Sequence, residues 1–335
     1  MAAGQQPHIA IFGRAIAPRA MALAEAAGVR VTTTDRYLQG ADLESFMAEQ
    51  QPDAIILRLG AVTDAAMAAA PGLRIIAKHG VGYDTIDVEA ATRRNVLVTI
   101  ATGANAISVA EHALALMLGV ARGVAHLDAR IRGGHWDKAH YMGTELNGKL
   151  LGIVGLGAIG RHLATLCRAL GMDIMIFDPA LPETGAEEFR KAADLEELLR
   201  HSDVVSLHCP LTPATRNMIS AARLALMKPC SILVNTARGG LVDLEALGNA
   251  LRANRIGGAG LDTFPVEPPI LSEELRALPN LVVSPHIGAS TIEAGERVGM
   301  LAMTQVLDCL AGRPIDARYA VNAIPGRLSP GGVAA

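Results

Sequence analysis

The chain has 335 residues, more than one ordinary domain holds, so two domains are expected. Half of its residues are apolar, only 3% are aromatic, and the formal net charge is −3, from 30 basic and 33 acidic residues. This balanced composition argues against nucleic acid or a membrane surface as a partner. The four cysteines are scattered without a C-x-x-C pair, which argues against a disulfide framework and against a metal site.

The first hundred residues alternate short apolar strands with helices. Strands are predicted over 8–13, 29–33, 54–57, 73–77 and 96–98, and helices over 18–27, 41–50, 64–70 and 87–94. Strands that alternate with helices predict a doubly wound parallel sheet. The first turn, residues 13–16, lacks the glycine spacing of a phosphate site. The first hundred residues are therefore predicted to resemble half of a Rossmann fold without its phosphate site.

Apolar residues at helical spacing predict one long helix over 104–131, leading from one domain to the other. Six further strands are predicted near 150–154, 173–177, 203–207, 231–235, 257–261 and 281–283, enough for a full dinucleotide-binding sheet. A helix over 291–310 is expected to return to the first domain. The tail, 326–335, is rich in Gly and Pro and is predicted to be mobile.

The strand predicted near 150–154 leads into Gly155-x-Gly157-x-x-Gly160 and then into a helix. In this motif the first glycine permits a tight turn, the second lets a pyrophosphate approach, and the third lets the helix pack on the strand. Asp178 ends the next strand, 23 residues after Gly155, where a carboxylate can bind the adenosine ribose hydroxyls. Its negative charge, with no arginine beside it, favours NAD over NADP.

Three later strands end in loops that carry reactive side chains. Arg238, Glu267 and His286 follow the strands near 231–235, 257–261 and 281–283. Carboxyl ends of parallel strands meet at one edge of a sheet, so these side chains can converge. An arginine can hold a carboxylate, a histidine can exchange a hydroxyl proton, and a carboxylate can orient the histidine. The set suits oxidation of a 2-hydroxy acid.

The segments around these residues resemble those of a known family. Thr236-Ala-Arg-Gly-Gly240, Glu267-Pro-Pro269 and Ser284-Pro-His-Ile-Gly-Ala-Ser290 are similar to the signatures of the D-isomer-specific 2-hydroxyacid dehydrogenases. The similarity extends to residues 78–84, 103–112 and 143–149 and covers about 54–323. Within the family, the segments are most similar to those of the members that act on 3-phosphoglycerate.

The resemblance implies an α/β fold of two doubly wound parallel-sheet domains. These are a flavodoxin-like substrate domain, 1–101 with 288–335, and a Rossmann NAD-binding domain, 102–287. By the resemblance, Arg238, Glu267 and His286 match the catalytic residues. The predicted cofactor-binding residues are Val81, Gly155, Gly157, Ala158, Ile159, Gly160, Asp178, Cys209, Pro210, Thr236, Ala237 and Asp262. The predicted substrate-binding residues are Arg58, Lys78, Val81, Gly82, Arg238 and His286.

The implied activity is NAD-dependent oxidation of a small anionic 2-hydroxy acid at C2, with 3-phosphoglycerate as the leading substrate. Arg58, Lys78 and Lys138 are candidates for the cations that a phosphate requires. Lys78 replaces a frequent arginine of the phosphoglycerate enzymes, and Arg58 precedes Leu-Gly where these enzymes usually show Ser and a second small polar residue.

Several alternatives stay open on sequence alone. The substrate could instead be glycerate/hydroxypyruvate, glyoxylate or sulfolactate, and a different class is an NAD(H)-sensing protein like the corepressors of this fold. The resemblance implies a homodimer or homotetramer. The residues after Gly312 are too few for the regulatory domain of longer relatives. The absence of a signal-peptide pattern and of a long apolar stretch predicts a cytoplasmic protein.

Overall fold

A computed structural model describes residues 6–34, 36–181 and 186–330. The chain divides into two compact units. Residues up to Asn105 and from Thr291 onward form the first unit, and Ala106–Ser290 forms the second. The domain boundaries expected from the sequence, 101/102 and 287/288, fall shortly before these two breaks.

The first unit is built on a parallel sheet of five strands, in the order β2-β1-β3-β4-β5. Its central strands β1 and β3 are wholly buried, since the sheet has helices on both faces. The order is that of flavodoxin-like folds, so the predicted architecture of this unit is confirmed. The elements are β1 His8–Phe12, α1 Pro18–Ala26, β2 Arg30–Thr33, α2 Gly40–Gln50, β3 Ala54–Leu57, α3 Asp64–Ala68, β4 Ile75–Lys78, α4 Val88–Arg93 and β5 Leu97–Thr99.

The second unit opens with two helices, α5 Ala106–Ala121 and α6 Val124–Arg132. It continues with β6 Leu150–Val154, α7 Ala158–Ala169, β7 Asp173–Phe177, β8 Arg190–Lys191, α8 Leu195–His201, β9 Val204–Leu207, α9 Ala221–Leu224, β10 Ile232–Asn235, α10 Leu244–Arg252, β11 Gly258–Leu261, α11 Glu273–Arg276 and β12 Leu281–Val283. A short 3-10 turn, Gly239–Leu241, precedes α10.

The strands of the second unit form one parallel sheet in the order β12-β11-β10-β9-β6-β7-β8. Counted along the chain from β6, the first six strands follow the order 3-2-1-4-5-6 of the Rossmann fold, and β12 adds an edge strand. The predicted Rossmann domain is thus confirmed. The expected number of strands was one too low, because β8 is two exposed charged residues without an apolar pattern.

The prediction of one helix over 104–131 is wrong. The segment forms α5 and α6, which are bent by 61° at the break between them. Gly123 has a left-handed φ of 59°, which ends α5, and a Cβ atom there would lie 2.5 Å from the Tyr141 hydroxyl. Apolar spacing continues across the break, so periodicity alone could not reveal it.

The last long helix, α12 Ile292–Leu310, starts at Thr291, whose hydroxyl accepts from the Ala294 N–H. It packs on α1, where a Cβ at Gly299 would lie 3.4 Å from that of Ala17. The predicted return of this helix to the first unit is confirmed. After it, β13 Ile315–Asp316 pairs with β14 Leu328–Ser329, and the 3-10 turn Ala317–Tyr319 lies between them.

The tail was predicted to be mobile from residue 326, which is wrong for the paired residues Leu328 and Ser329. Residues 331–335 lie outside the described part of the chain. Among the described residues no single helix has the length and apolarity to cross a membrane, although α5 and α6 together meet that test as a bent pair.

Candidate active site

The loop from β6 to α7 contains the three motif glycines in distinct environments. A Cβ at Gly155, whose φ is 93°, would lie 2.8 Å from the carbonyl carbon of His208. A Cβ at Gly160 would lie 2.5 Å from the Gly155 oxygen. Gly157 has no atom within 4 Å of its Cβ position. The first and third glycines are therefore required by packing, and the second faces open space at the N-terminus of α7, where phosphates can approach.

Asp178 follows β7 and holds this loop. Its Oδ2 accepts from the Leu156 N–H at 2.8 Å, and its Oδ1 accepts from the Ala180 N–H at 2.9 Å. A carboxylate has about four acceptor sites, so capacity remains for ribose hydroxyls. The loop also owes its shape to this carboxylate, a role that the sequence did not reveal.

The loop after β9 lies beside the glycine loop, because β6 and β9 are neighbours where the strand order reverses. Burial lowers the pKa of His208 to about 4 and raises that of the Cys209 thiol to about 11. Cys209 is therefore a neutral thiol, with its Sγ 3.6 Å from the Met218 sulfur. Pro210 follows it at the exposed end of the loop.

Thr236, the first residue after β10, is 7% exposed, and its hydroxyl has no hydrogen-bond partner among the described residues. A buried hydroxyl without a partner costs about 1–3 kcal/mol, which a bound ligand can offset. Together with the open face at Gly157, this hydroxyl fits a site for a dinucleotide. The neighbouring Ala237 is held by its N–H, which donates to Asn235 Oδ1 at 3.0 Å.

The three predicted catalytic residues follow β10, β11 and β12, which are neighbours in the sheet. His286 Nδ1 lies 2.7 Å from Glu267 Oε2, and Glu267 Oε1 accepts from the Phe264 N–H at 3.0 Å. The carboxylate can only accept, so the Nδ1 proton points to Glu267 and Nε2 is the nitrogen that exchanges a proton. The His286 side chain is 48% exposed, which leaves it accessible.

Arg238 lies on a loop that is fixed by a buried amide. Asn235 is fully buried, and its Nδ2 donates to the Arg238 carbonyl at 2.9 Å. The guanidinium donates through Nη1 to the Ala237 carbonyl at 2.7 Å. Sequence reasoning missed Asn235; the available signal was an asparagine at the end of an apolar strand, directly before a predicted catalytic loop.

Asp262 was predicted to contact the cofactor, and it is only 1% exposed. Its Oδ1 accepts from the Ser284 hydroxyl at 2.6 Å and from the Ile287 N–H at 2.9 Å, and its Oδ2 accepts from the Gly288 N–H at 2.8 Å. The carboxylate thus anchors the loop that carries His286. His112, which the sequence did not single out, lies 2.8 Å from the Ser284 hydroxyl through its Nε2.

The predicted residues of the first unit cluster at the carboxyl ends of β3 and β4. The Lys78 ammonium donates to the Arg58 carbonyl at 2.9 Å, and the Arg58 guanidinium donates to the Arg14 carbonyl at 3.0 Å. His79 follows Lys78, and its pKa falls to about 4, mainly by burial and further by the positive charge of Arg58. Val81 and Gly82 are half-buried in the following loop.

Lys138 belongs to the second unit and is exposed, in a surface pocket that Leu127, Ile131, Trp136 and Tyr141 also line. The structure thus brings Arg58 and Lys78 together within one unit. Lys138 lies in the other unit, and its predicted contact with a substrate stays a prediction.

Residues 114–288 match the sequence profile of the D-isomer specific 2-hydroxyacid dehydrogenase NAD binding domain. The chain belongs to that family. The match covers the glycine loop and the Arg238, Glu267 and His286 loops, so the second unit carries the family's NAD-binding domain. The resemblance expected from the sequence is confirmed.

Similarity to individual relatives extends over most of the chain. D-3-phosphoglycerate dehydrogenase of Synechocystis sp. is 42% identical over 83% of this chain, which spans only 50% of that relative. The chain thus spans about half the length of such relatives. Hydroxypyruvate reductase of Thermotoga maritima is 42% identical over 80% of this chain and 87% of its own. The TT0316 protein of Thermus thermophilus superposes with a TM-score of 0.85 at 36% identity, over 94% of this chain and all of its own.

The buried His208 predicts a pH dependence of stability. Its pKa is about 4 in the folded protein against 6.5 ordinarily, so between these values the unfolded state binds more protons. The neutral His208 imidazole therefore contributes fully to the stability of the folded protein above pH 6.5, and this contribution is lost as the pH falls toward 4. From pH 7 to 5 the free energy of unfolding should drop by roughly 2 kcal/mol because of this residue.

His208→Gln should keep a hydrogen bond to the Ser206 hydroxyl, which lies 2.8 Å from the imidazole, while removing the titration. Urea denaturation at both pH values measures the change. The exposed His201→Gln serves as the control and should behave as the parent does. An equal loss in the parent and in His208→Gln would contradict the prediction.

Proposed function

We propose that the protein is an NAD-dependent dehydrogenase that oxidises 3-phosphoglycerate at C2 to 3-phosphohydroxypyruvate, or runs the reverse reaction. The observation that carries the proposal is the 2.7 Å contact between His286 and Glu267 beside the Arg238 loop, at the carboxyl edge of a sheet that also presents the glycine loop. The curated relatives named D-3-phosphoglycerate dehydrogenase support the choice of substrate.

The roles of the three side chains follow from their chemistry. The Arg238 guanidinium binds the substrate carboxylate with paired N–H groups. His286 Nε2 accepts the C2 hydroxyl proton during oxidation and returns it during reduction. Glu267 keeps the other proton of the imidazole on Nδ1 and stabilises the charged ring after proton uptake. Bound NAD supplies the acceptor for the hydride that leaves C2.

The first unit is proposed to recognise the far end of the substrate. Arg58 and Lys78 provide two cations at one sheet edge, and the neighbouring neutral His79 has a buried ring nitrogen, Nε2, with no partner among the described residues. A phosphate carries close to two negative charges and requires such groups. Val81 and Gly82, in the loop after Lys78, are proposed to line the same subsite.

Hydroxypyruvate is the second candidate substrate. The hydroxypyruvate reductase of Thermotoga maritima is matched over 87% of its length, whereas the phosphoglycerate enzymes are matched over about half. The same triad would act on either acid, so the distinction depends on the cations that face the substrate's far end.

We further propose a homodimer in which α6 and the loop after it are covered. None of the residues of α6 is buried, and Trp136 and Met142 are 76% and 93% exposed. A nine-residue helix without a fully buried residue is marginal in water, so a partner surface would account for its order. Light scattering should give twice the chain mass.

A cytoplasmic location is also proposed, since Cys230 is a free, exposed thiol.

Catalysis is tested with a panel of 3-phosphoglycerate, glycerate, lactate and their keto acids. The formation or consumption of NADH is measured by its absorbance. His286→Ala should lower kcat about 10²–10⁴-fold, the range of a general acid–base group. NADH binding, followed by fluorescence, should survive, because the imidazole acts on the substrate. The kcat of Glu267→Gln should lie between that of His286→Ala and that of the parent, since the amide oxygen can still accept from the Phe264 N–H.

The exposed His201→Ala serves as the matched control and should retain the parental rate. Near-normal turnover of His286→Ala would show that another group moves the proton. A parent without turnover on the whole panel would reject the dehydrogenase assignment.

Asp178 is proposed to select NAD over NADP, since a 2′-phosphate would meet its negative charge. Asp178→Arg should raise the kcat/KM ratio of NADP to NAD roughly ten- to a hundredfold, the equivalent of one charge-assisted contact. Asp178→Asn is the matched variant: it removes the charge but keeps an acceptor for the Leu156 N–H. A parent enzyme that uses NADPH as well as NADH would contradict this role.

Arg58→Gln tests recognition of the phosphate. The amide keeps a polar side chain at this position while the charge is lost, together with the Nη1 donor to the Arg14 carbonyl. The KM for 3-phosphoglycerate should rise roughly ten- to a hundredfold, and that for glyoxylate, which lacks an anionic tail, should stay within about twofold. Equal changes for both substrates would mean that Arg58 does not read the tail, and hydroxypyruvate would then be favoured.

A further inference from the structure

The loop that carries His286 adopts a backbone conformation that has to be enforced. His286 has a left-handed φ of 55°, which is unfavourable for a residue with a Cβ atom. Such a conformation persists where the surroundings over-determine it. The imidazole can meet Glu267 only while the loop, residues 284–288, keeps this shape.

Asp262 supplies that constraint from the end of β11. Its buried carboxylate binds residues on both sides of His286: the Ser284 hydroxyl at 2.6 Å before it, and the N–H groups of Ile287 and Gly288 after it. The loop is thus fastened at three points to a single side chain. A Cβ at Gly288 would lie only 3.0 Å from Asp262 Oδ2, so the backbone rests directly on the carboxylate.

His112 completes this cluster, and the donors and acceptors in it can be assigned. The Ser284 hydroxyl has one proton, and the short contact to Asp262 requires it there, since an ionised carboxylate only accepts. At 2.8 Å, His112 Nε2 must therefore donate to the Ser284 oxygen. Nε2 also lies 3.3 Å from Asp262 Oδ1, so the same proton faces the negative charge.

The helix that carries His112 is a firm support. α5 packs so closely on the sheet that a Cβ at Gly260 would lie 2.8 Å from that of Leu116, one turn after His112. A Cβ at Gly258 would lie 2.4 Å from the side chain of Val120. Close approach of this kind fixes the height of the helix over β11 and hence the position of its imidazole.

We propose that His112 and Ser284 are positioning residues for His286, which act through Asp262 by holding the loop in its left-handed shape. The proposal rests on the proposed function, because the group that they position is the one assigned to proton exchange. Neither residue needs to touch substrate or cofactor for this role. Their loss should therefore affect the chemical step and spare binding.

Ser284→Ala and His112→Leu each remove one link. Kinetics are measured with 3-phosphoglycerate or hydroxypyruvate, whichever the parent turns over, and kcat is normalised to the number of NADH-binding sites. In both variants kcat should fall roughly 10–100-fold, as expected when a supporting contact is lost, while KM and the Kd of NADH stay within about twofold.

Conservative variants separate positioning from a general loss of structure. Ser284→Thr keeps the hydroxyl and His112→Gln keeps an N–H at the position of Nε2, so both should recover most of the parental kcat. Thr32→Val is the matched control in the first unit, since it removes a similar hydroxyl–imidazole contact, 2.9 Å to His8. It should change the melting temperature and leave kcat unchanged.

The hydrogen-bond assignment has a readout independent of turnover. With ¹⁵N-labelled histidine, NMR should show the His112 proton on Nε2, slow to exchange with water, and Ser284→Ala should make its exchange fast. A proton on Nδ1 alone would overturn the assignment. If the parent is active and Ser284→Ala and His112→Leu keep its kcat, the positioning role is wrong and the proposed function stands. If the parent is inactive, the dehydrogenase assignment is rejected, and with it a catalytic purpose for this loop.

Discussion

The site depends on the parallel register of one sheet. Backbone hydrogen bonds align β6, β9, β10, β11 and β12 in the same direction, so every loop that follows these strands leaves from one edge. The pairing of β6 with β9 sets the glycine loop beside the loop after β9, and the pairing of β10 with β11 and of β11 with β12 sets Arg238, Glu267 and His286 after consecutive strands. The glycine loop and the loop that carries His286, more than a hundred positions apart in the chain, thereby lie at the same edge of one sheet.

Carboxylates that follow strands serve two purposes in this unit. Asp178 and Asp262 both bind loop N–H groups, and Asp262 does so while almost wholly buried. Taking a carboxylate out of water costs several kcal/mol unless donors surround it. Loop backbones supply those donors, so the acid fixes the loop and the loop N–H groups offset the cost of burying the acid. A position that looks like a ligand contact in the sequence can be structural at the same time.

Much of the fold could be predicted because parallel strands buried on both faces read as continuous apolar runs. The strands from β1 to β12 were anticipated within a residue or two, except β8, whose two charged residues have no apolar signal. The break at Gly123 was missed because one glycine in an apolar run is compatible with a continuous helix. The convergence of His286 and Glu267 was anticipated from the strands that precede them, and the resemblance of the surrounding segments indicated the family.

The supporting residues could not be predicted, because their partners are distant in the chain. His112 and Ser284 are 172 positions apart, and no local pattern reports a contact at that separation. Asn235 is close in the chain to Arg238, which it supports, yet its role depends on full burial, and burial is decided by how the sheet packs. Sequence patterns thus identified the candidate catalytic side chains, whereas the side chains that hold them in place emerged from tertiary packing.

The energies explain why so many contacts converge on one loop. A left-handed residue with a Cβ costs roughly 1–2 kcal/mol, and burial of the Asp262 charge adds several more. Each hydrogen bond to a charged group contributes about 1.5–3 kcal/mol, so the three donors to Asp262 can offset both costs together. Loss of one donor would remove about 1.5–3 kcal/mol, as much as the left-handed conformation of His286 costs, and of the three donors only the Ser284 hydroxyl belongs to a side chain. The Ser284 hydroxyl, oriented by His112, is thus the contact on which the balance depends.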